Sequence, residues 1–427
     1  MKNYINMSKK ELIEEKEKVM HEYQKFKSLG LKLDMSRGKP SKEQVNLSMD
    51  MLDVINSKSD CISQDGIDCR NYGILEGLRE IRKLFSDMMG VNEDDIIIGG
   101  NSSLNMMFDV ISCFMTHEIS GEKPWLKQEK IKFLCPSPGY DRHFAICEYF
   151  GMELIPIKMN SDGPDMNKVE NLVENDITVK GIWCVPKYSN PQGIVYSDEV
   201  IKRLSSLKPK AKDFRIFWDN AYCVHDLEES VEILNIMDEC VKNGNEELPI
   251  LFSSTSKITF PGAGISALAC RGNNMDILKK RFSMQTIGYD KINQLRHIRY
   301  LKNLDNLKLH MLKHRNILKP KFELVISKLR KEFEENEIIK WDTPKGGYFV
   351  SVYVMNGCAK EVVRLCKEAG VIITNAGATY PYGKDPFDSN IRLAPSYPDI
   401  KELDKAMDLF MICVKLAALN KLIESNV

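Results

Sequence analysis

The sequence predicts an α/β fold with a large, mainly parallel β-sheet covered by helices and a smaller α/β domain beside it. Short apolar runs alternate with amphipathic segments along most of the chain, which is typical of strands buried on both faces of a parallel sheet. The 427 residues exceed what a single hydrophobic core usually organises. A highly charged helical stretch at residues 292–335 precedes a second, shorter alternation of strands and helices.

A capping box of Ser8 and Glu11 begins a helix over residues 8–29, and Gly30 ends it. The seven strands predicted for the large sheet are the apolar runs at residues 96–98, 131–134, 154–157, 182–185, 214–218, 251–254 and 265–270. The helices between them are predicted at residues 103–115, 143–150, 166–173 and 198–207. The small domain is predicted to have strands at 348–354, 371–374 and 391–393, and helices at 360–369 and from Asp399 onward.

Composition excludes several classes of function. Lys and Arg number 60 and Asp and Glu number 60, so the chain lacks the basic excess that nucleic-acid binding requires. No apolar stretch is long enough to span a bilayer and the N-terminus has no apolar signal core, so we expect a cytoplasmic protein that does not bind membranes. The 12 Cys form no C-x-x-C pair and are expected to be reduced, mostly buried thiols. His310 and His314 share a helix face, but without an acidic or Cys partner nearby in sequence we expect a solvated face and no metal site.

Polar residues follow several of the predicted strands, at the edge where open α/β sheets bind ligands. The turn at Gly100, Asn101 and Ser102 leads into a helix and could hold an anion on backbone amides. Plain helix capping is the commoner use of such a turn. Asn190 lies in an Asn-Pro-x-Gly turn that forms without any ligand, although its side chain could also reach a ligand oxygen.

Three ionisable residues at the ends of predicted strands, or within one, are candidates for catalysis or ligand binding. Asp219 ends a strongly apolar strand and could either cap the next helix or, with Tyr222 beside it, pair with a protonated heterocycle. Lys257 follows a strand between small hydroxyl residues and could be a surface lysine or an amine nucleophile. Arg392 lies inside a short apolar strand and could bind a carboxylate or form a structural ion pair. A phosphate cradle, a lysine amine, an acid for a ring nitrogen and a carboxylate-binding arginine together fit pyridoxal 5′-phosphate chemistry on an amino acid.

From about Leu33 to the C-terminus the chain resembles the fold-type I pyridoxal-phosphate aminotransferases of the class I/II superfamily, with the motifs in the family's order. It looks most like the aspartate aminotransferase subgroup formerly labelled MocR-like or alanine–glyoxylate aminotransferase. Residues 1–30 are too short for a winged-helix DNA-binding domain, so we expect an enzyme and not a regulator. The resemblance implies residues 1–48 as an arm and part of the small domain, 49–305 as the large cofactor-binding domain, and 306–427 as the rest of the small domain.

The resemblance also assigns roles to the strand-end residues. It makes Lys257 the Schiff-base lysine, and it places Asp219 at the pyridine nitrogen and Tyr222 at the ring hydroxyl, and all three count as catalytic. The cofactor-binding set further comprises Gly100, Asn101, Ser102, Tyr140, Asn190, Ser254, Ser256 and Tyr72. Tyr72 is expected to reach the phosphate of a partner subunit, which implies a homodimer. The substrate-binding set comprises Arg392, for the α-carboxylate, with Asn190, Gly38 and Arg37.

One motif departs from the family pattern. The family usually has an arginine shortly after the Schiff-base lysine, in a Pro-Gly-x-Arg context, to bind the phosphate, whereas here Gly264 stands at that place. We therefore expect another cation, or more backbone and hydroxyl donors, at the phosphate. For a dicarboxylic substrate a second cation is needed, and Arg37, Lys39 and Lys291 are candidates by position, although each is more often a solvated or structural charge.

The implied activity is transfer of an amino group, most simply from L-aspartate, to 2-oxoglutarate by a ping-pong aldimine mechanism. The alternatives that remain open are a C–S β-lyase or decarboxylase on the same fold, or an aminotransferase with an alanine or aromatic donor. A nucleotide-binding oxidoreductase is disfavoured, because the G-x-G-x-x-A string from Gly262 precedes a strand instead of opening a helix after one. A non-catalytic binding protein would not explain a Lys, an Asp and an Arg at three separate strand ends.

Overall fold

The computed structural model describes residues 3–425 and confirms the α/β prediction. The strands are β1 (Leu33–Met35), β2 (Ile96–Ile98), β3 (Lys132–Ser137), β4 (Glu153–Asn160), β5 (Gly163–Pro164), β6 (Val179–Cys184), β7 (Arg215–Asp219), β8 (Pro249–Ser254), β9 (Ser266–Ala269), β10 (Ile339–Trp341), β11 (Val350–Val354), β12 (Val371–Ile373) and β13 (Asn390–Leu393). The α-helices are α1 (Lys9–Ser28), α2 (Lys42–Asn46), α3 (Arg79–Met89), α4 (Ser103–Thr116), α5 (Asp141–Tyr149), α6 (Met166–Asn175), α7 (Asp198–Ser205), α8 (Ile236–Lys242), α9 (Asn273–Gln285), α10 (Lys291–Leu301), α11 (Leu304–Phe333), α12 (Ala359–Glu368) and α13 (Ile400–Ser425).

The large sheet has the strand order β2-β9-β8-β7-β6-β3-β4-β5. The central pairs, from β8 through β7, β6 and β3 to β4, are parallel, and the pairs at both edges are antiparallel. All seven predicted strands are present, and every residue of β6, β7 and β9 is buried, as expected for a sheet covered on both faces. The eighth strand, β5, has only two residues and pairs antiparallel with β4, so it carries no periodicity that a sequence pattern could reveal.

Both ends of the chain contribute to the small domain, as predicted. β1 pairs with β12 in parallel, and β10, β11 and β13 form an antiparallel sheet. α1 packs on the C-terminal helix α13, and Leu12 of α1 belongs to the same apolar core as Phe410 of α13. α1 is capped as predicted, because the Ser8 side chain accepts from the backbone of Glu11 while the Glu11 side chain accepts in return. The domain limits at residues 48 and 305 stay predictions.

Within residues 3–425, no helix combines the length and the apolar character needed to cross a membrane. The cysteines are unpaired thiols, and all are buried except Cys223, which is half-buried. This agrees with the expectation of reduced, mostly buried cysteines.

Candidate active site

A cavity of about 600 Å³ lies at the carboxyl ends of β3, β6, β7 and β8, with the small domain on its other side. This is the edge at which ligands bind in open α/β sheets. The predicted site residues that line it are Arg37, Gly38, Ser102, Tyr140, Asn190, Asp219, Tyr222, Ser254, Ser256, Lys257 and Arg392. The structure therefore brings together side chains from segments that are far apart in sequence. Gly100, Asn101 and Tyr72 lie outside this lining set.

Lys257 follows β8, and its amine lies close to two aromatic rings. Its Nζ atom lies 4.9 Å from the ring centroid of Tyr222 and 5.9 Å from that of Tyr348. Burial lowers the pKa of the Lys257 amine from its ordinary value, and the Asp219 carboxylate opposes this shift. Burial also raises the pKa of Tyr222, so its phenol keeps its proton and can donate a hydrogen bond. The arrangement provides an amine that gives up its proton more readily than an ordinary lysine.

Asp219, at the end of β7, is buried, and only one of its two carboxylate oxygens has a hydrogen-bond partner in the described part of the chain. Its Oδ2 atom lies 3.0 Å from Nε2 of His143, and its Oδ1 atom has no hydrogen-bond partner among the described residues. The His143 ring stacks on Trp183 with a centroid separation of 4.2 Å. A buried carboxylate oxygen without a donor is costly, and a protonated ring nitrogen in the cavity would supply that donor.

His143 was absent from the predicted site residues. It is the third residue of α5, in the helix that follows the turn at Tyr140, and its side chain is buried. The signal that could have found it is a histidine on the apolar face of a helix, a position that requires a buried polar partner.

The turn between β2 and α4 is built for close approach. A Cβ atom on Gly99 would come within 2.6 Å of Ser266 Oγ, so a side chain is not tolerated there without movement. Ser102 is the N-cap of α4, and its side chain accepts from the backbone N–H of Leu104. The first N–H groups of a helix have no intrahelical partner, so the start of α4 is suited to holding an anion such as a phosphate.

The loop that carries Lys257 is tied to the same turn. Ser254 Oγ donates to Ser256 Oγ at 3.0 Å, and Ser256 Oγ donates to the carbonyl of Asn101 at 3.0 Å. Gly264 packs on this turn as well, since a Cβ atom there would lie 3.1 Å from the Asn101 carbonyl oxygen. Because Gly264 replaces the family's arginine, the hydrogen-bond donors that this turn offers to an anion are backbone amides and hydroxyl groups.

Arg392, on β13, reaches across the cavity to the large domain. Its Nη1 atom donates to Asn190 Oδ1 at 3.1 Å and to Asp141 Oδ1 at 3.0 Å. Its Cζ atom lies 4.8 Å from the ring centroid of Phe349, and its side chain is buried. Asn190 and Arg392, both predicted as substrate ligands, therefore meet, whereas Asp141 is a partner that the sequence did not predict.

The three candidate cations for a second carboxylate lie in different places. Arg37 lines the cavity and is exposed, and its guanidinium makes no hydrogen bond or ion pair within residues 3–425. Lys39 lines it too, and its Nζ atom lies 3.8 Å above the ring of Tyr397. Lys291 lies outside this lining, is buried, and donates to the carbonyl of Gly73 at 2.8 Å. Lys291 has a structural contact in this chain, in the loop next to Tyr72.

The expectation that His310 and His314 form a solvated helix face is wrong. Both are buried, and their Nε2 atoms lie 2.8 and 3.0 Å from the carbonyl oxygen of Ile258, the residue after Lys257. Nδ1 of His314 lies 3.2 Å from the side-chain amide of Gln44. The long helix α11 packs against α2 and places these rings inward, which the helix face by itself did not indicate because charged residues surround it in sequence.

Comparison with known families agrees with this geometry. The model of the family described as "Aspartate amino-transferase" matches residues 7–426. The chain belongs to this family. Its members are fold-type I pyridoxal-phosphate aminotransferases, so the resemblance inferred from the motifs is confirmed.

Relatives within this aminotransferase family cover nearly the whole chain. An "Aspartate aminotransferase" from Corynebacterium glutamicum is 44% identical over 94% of this chain and 93% of its own length. A "Putative aminotransferase" from Mycolicibacterium smegmatis is 43% identical over 99% of both chains. The crystal structure of an aspartate transaminase from Corynebacterium glutamicum superposes with a TM-score of 0.96, at 41% identity and 99% coverage of both chains.

Proposed function

We propose that this protein is a pyridoxal 5′-phosphate-dependent aminotransferase that moves the amino group of L-aspartate to 2-oxoglutarate. The observation that carries the proposal is the buried, unpartnered Oδ1 atom of Asp219, in a cavity that also holds the amine of Lys257 and the guanidinium of Arg392. The names of the similar Corynebacterium proteins support aspartate as the donor.

The residues present fit the cofactor. Asp219 would hold the protonated pyridine nitrogen, Tyr222 and Asn190 the ring hydroxyl, and Lys257 the carbonyl carbon. The phosphate would lie at the start of α4 and the serines of the Lys257 loop, on Gly100, Asn101, Ser102, Ser254 and Ser256. When bound, the cofactor supplies an electron sink that stabilises negative charge at the substrate α-carbon.

The side chains of this chain then bind, orient and move protons. Arg392 binds the α-carboxylate, and Asn190 fixes the guanidinium, so that the bond to be broken stays aligned. Lys257, with its lowered pKa, accepts the α-proton as general base and would then, as general acid, deliver it to the carbonyl carbon of the cofactor. The Asp219 carboxylate would keep the proton on the ring nitrogen of the bound cofactor, and His143 holds the carboxylate in place. The second half-reaction uses the same groups with a 2-oxo acid.

A homodimer is part of the proposal. The side chain of Tyr72 is 82% exposed, and Met284 and Ile287 are exposed apolar residues at 79% and 64%. These segments adjoin, because Lys291 at the start of α10 donates to Gly73. A second copy would cover this surface, and Tyr72 would enter the partner's cavity. The unpaired cysteines support a cytoplasmic location.

The visible absorbance spectrum tests the function directly. We expect the purified protein, loaded with pyridoxal 5′-phosphate, to be yellow, to bleach on addition of L-aspartate, and to recover its colour with 2-oxoglutarate. The Lys257→Ala variant is the control and should show no such cycle. A band unmoved by aspartate but bleached by alanine or an aromatic amino acid would redirect the donor. Release of ammonia or carbon dioxide without recovery would favour the lyase or decarboxylase.

A further inference from the structure

Arg392 has a resident carboxylate. Asp141, the first residue of α5, places Oδ1 3.0 Å from Nη1 of Arg392 and lines the same cavity. The two side chains approach from opposite sides of the cavity, since α5 follows β3 of the large sheet and Arg392 is on β13 of the small domain. The pair spans 251 residues of sequence, so neither residue signals the other locally.

Most N–H groups of the Arg392 guanidinium already have partners when a substrate carboxylate arrives. A guanidinium has five N–H groups, and a bidentate carboxylate needs two that lie on one edge. Both hydrogens of Arg392 Nη1 are engaged, by Asp141 and Asn190, and the Nε hydrogen faces Thr374 Oγ1 at 3.4 Å. Only Nη2 has no partner within the described residues. A bidentate substrate carboxylate must therefore displace one of these partners.

Asp141 is the partner that can leave. The Arg392 side chain is 7% exposed and Asn190 is 5% exposed, whereas the Asp141 side chain is 37% exposed. Water can solvate the Asp141 carboxylate when it moves away, and the N–H groups at the start of α5 favour its negative charge there. Displacing Asn190 would instead leave a buried amide without a partner, which is more costly. Thr374 is also buried, and its hydroxyl is held at the Nε edge because it donates to the carbonyl of Ser36 at 2.8 Å.

We propose that the Asp141 carboxylate pairs with the Arg392 guanidinium in the substrate-free protein and that the α-carboxylate of the substrate displaces it. Asp141 thereby sets the affinity of the site for carboxylate ligands. The inference rests on the proposed function, because it assumes that Arg392 binds the substrate carboxylate. The resident carboxylate neutralises a buried guanidinium while no ligand is bound, and each carboxylate substrate must compete with it. Its removal tightens binding in the ground state and leaves the chemical step alone.

The test measures succinate binding by calorimetry to the protein saturated with pyridoxal 5′-phosphate. We expect Asp141→Asn to lower the Kd for succinate about fivefold, because the competing charge is gone. Asp141→Glu keeps the charge and should retain the weaker binding of the unaltered protein. Asp198→Asn is the matched control, since Asp198 is also the first residue of a helix, is exposed, and lies outside the cavity lining. It should leave the Kd unchanged.

Steady-state kinetics give a second readout. Asp141→Asn should lower the KM for aspartate and leave kcat within about twofold, since uniform binding changes KM alone. An unchanged or higher Kd for succinate in a folded Asp141→Asn variant would overturn the inference, a higher value meaning that Asp141 positions Arg392.

The Arg392→Gln variant distinguishes failure of the Asp141 inference from failure of the proposed role of Arg392. If the unaltered protein binds succinate and Arg392→Gln does not, the proposed role of Arg392 holds and only the role of Asp141 is under test. If all these proteins bind succinate equally, or none binds it, Arg392 does not bind the carboxylate, and both proposals fail.

Discussion

His143 Nε2 lies 3.0 Å from Oδ2 of Asp219, while Oδ1 of the same carboxylate has no hydrogen-bond partner within residues 3–425. The histidine ring is held in turn by stacking on Trp183 at an interplanar angle of 8°. One oxygen is thus fixed by the protein, and the other is available to the cofactor proposed above. This division explains why an acid can be buried at the end of an apolar strand.

Replacing His143 tests that division. We expect His143→Phe to lower kcat/KM for aspartate about tenfold, because a hydrogen bond to a charged group contributes about 1.5 kcal/mol or more. The affinity for pyridoxal 5′-phosphate should fall as well, which equilibrium dialysis would measure. His117→Phe, at an exposed position, is the control. Unchanged kinetics in folded His143→Phe would show that Asp219 needs no second residue to orient it.

The pH profile reports on Lys257. Burial lowers the pKa of its amine, so the free base that accepts the α-proton should form at a pH below that of an ordinary lysine. The activity should therefore rise with pH and level off before the ordinary lysine pKa of about 10.4. Measurement of kcat from pH 5 to 11 checks this. A rise centred at or above the ordinary value would contradict the role of burial.

Among the three candidate cations, Arg37 lines the cavity with a side chain that has no partner among the described residues. We expect Arg37→Gln to reduce the preference for aspartate over alanine, as a ratio of kcat/KM, about tenfold or more, since a charged contact to the second carboxylate is lost. Lys39→Gln is the control, because the Lys39 amine already lies over the ring of Tyr397. An unchanged ratio in Arg37→Gln would remove Arg37 as the specificity residue.

Gly38 should not tolerate a side chain. A Cβ atom there would overlap the ring of Phe349, and Phe349 also packs on Arg392. We expect Gly38→Ala to displace the loop that carries Arg37 and to raise the KM for aspartate several-fold, with about 1–3 kcal/mol lost in the free energy of unfolding. Gly262→Ala is the matched control, since a Cβ atom there meets nothing within 4 Å. Equal effects of the two substitutions would refute the steric argument.

The buried His314 should make stability depend on pH. Burial, with His310 beside it, lowers the pKa of His314 to about 4, whereas the unfolded chain has the ordinary value. The unfolded state therefore binds more protons between the two values, so stability is complete above about pH 6.5 and is lost as the pH falls toward 4.

Urea unfolding at pH 7 and pH 5 measures this dependence. We expect His314→Gln to reduce the loss on acidification by about 1–2 kcal/mol, because its own titration is removed. His21→Gln, at an exposed position on α1, is the control and should leave the loss unchanged. A variant with the same loss as the unaltered protein would show that His314 does not couple folding to protons.

Much of the fold and of the site was predictable from short sequence patterns. The strands of the large sheet appear as apolar runs, because burial on both faces admits little else. Lys257, Asp219 and Arg392 are predictable as site residues, because a charged residue at the end of, or within, an apolar strand is costly to bury unless it has a partner or a ligand. The sequence does not predict β5, because two residues carry no periodic pattern. It does not predict the role of His143 either, because that role depends on an Asp 76 residues away.

The order of the elements, the family and the set of side chains that could carry chemistry all follow from the amino-acid sequence, because periodicity, turn residues and strand-end charges are local properties. Which of those side chains meet depends on how the chain folds in three dimensions. The tertiary structure pairs Asp141 with Arg392, turns His310 and His314 inward onto the peptide after Lys257, and leaves one oxygen of Asp219 without a partner in the described part of the chain. Such pairings arise where distant segments converge at one edge of a sheet, and the physical reason is that burial forces each polar group to find a partner in space and not in sequence.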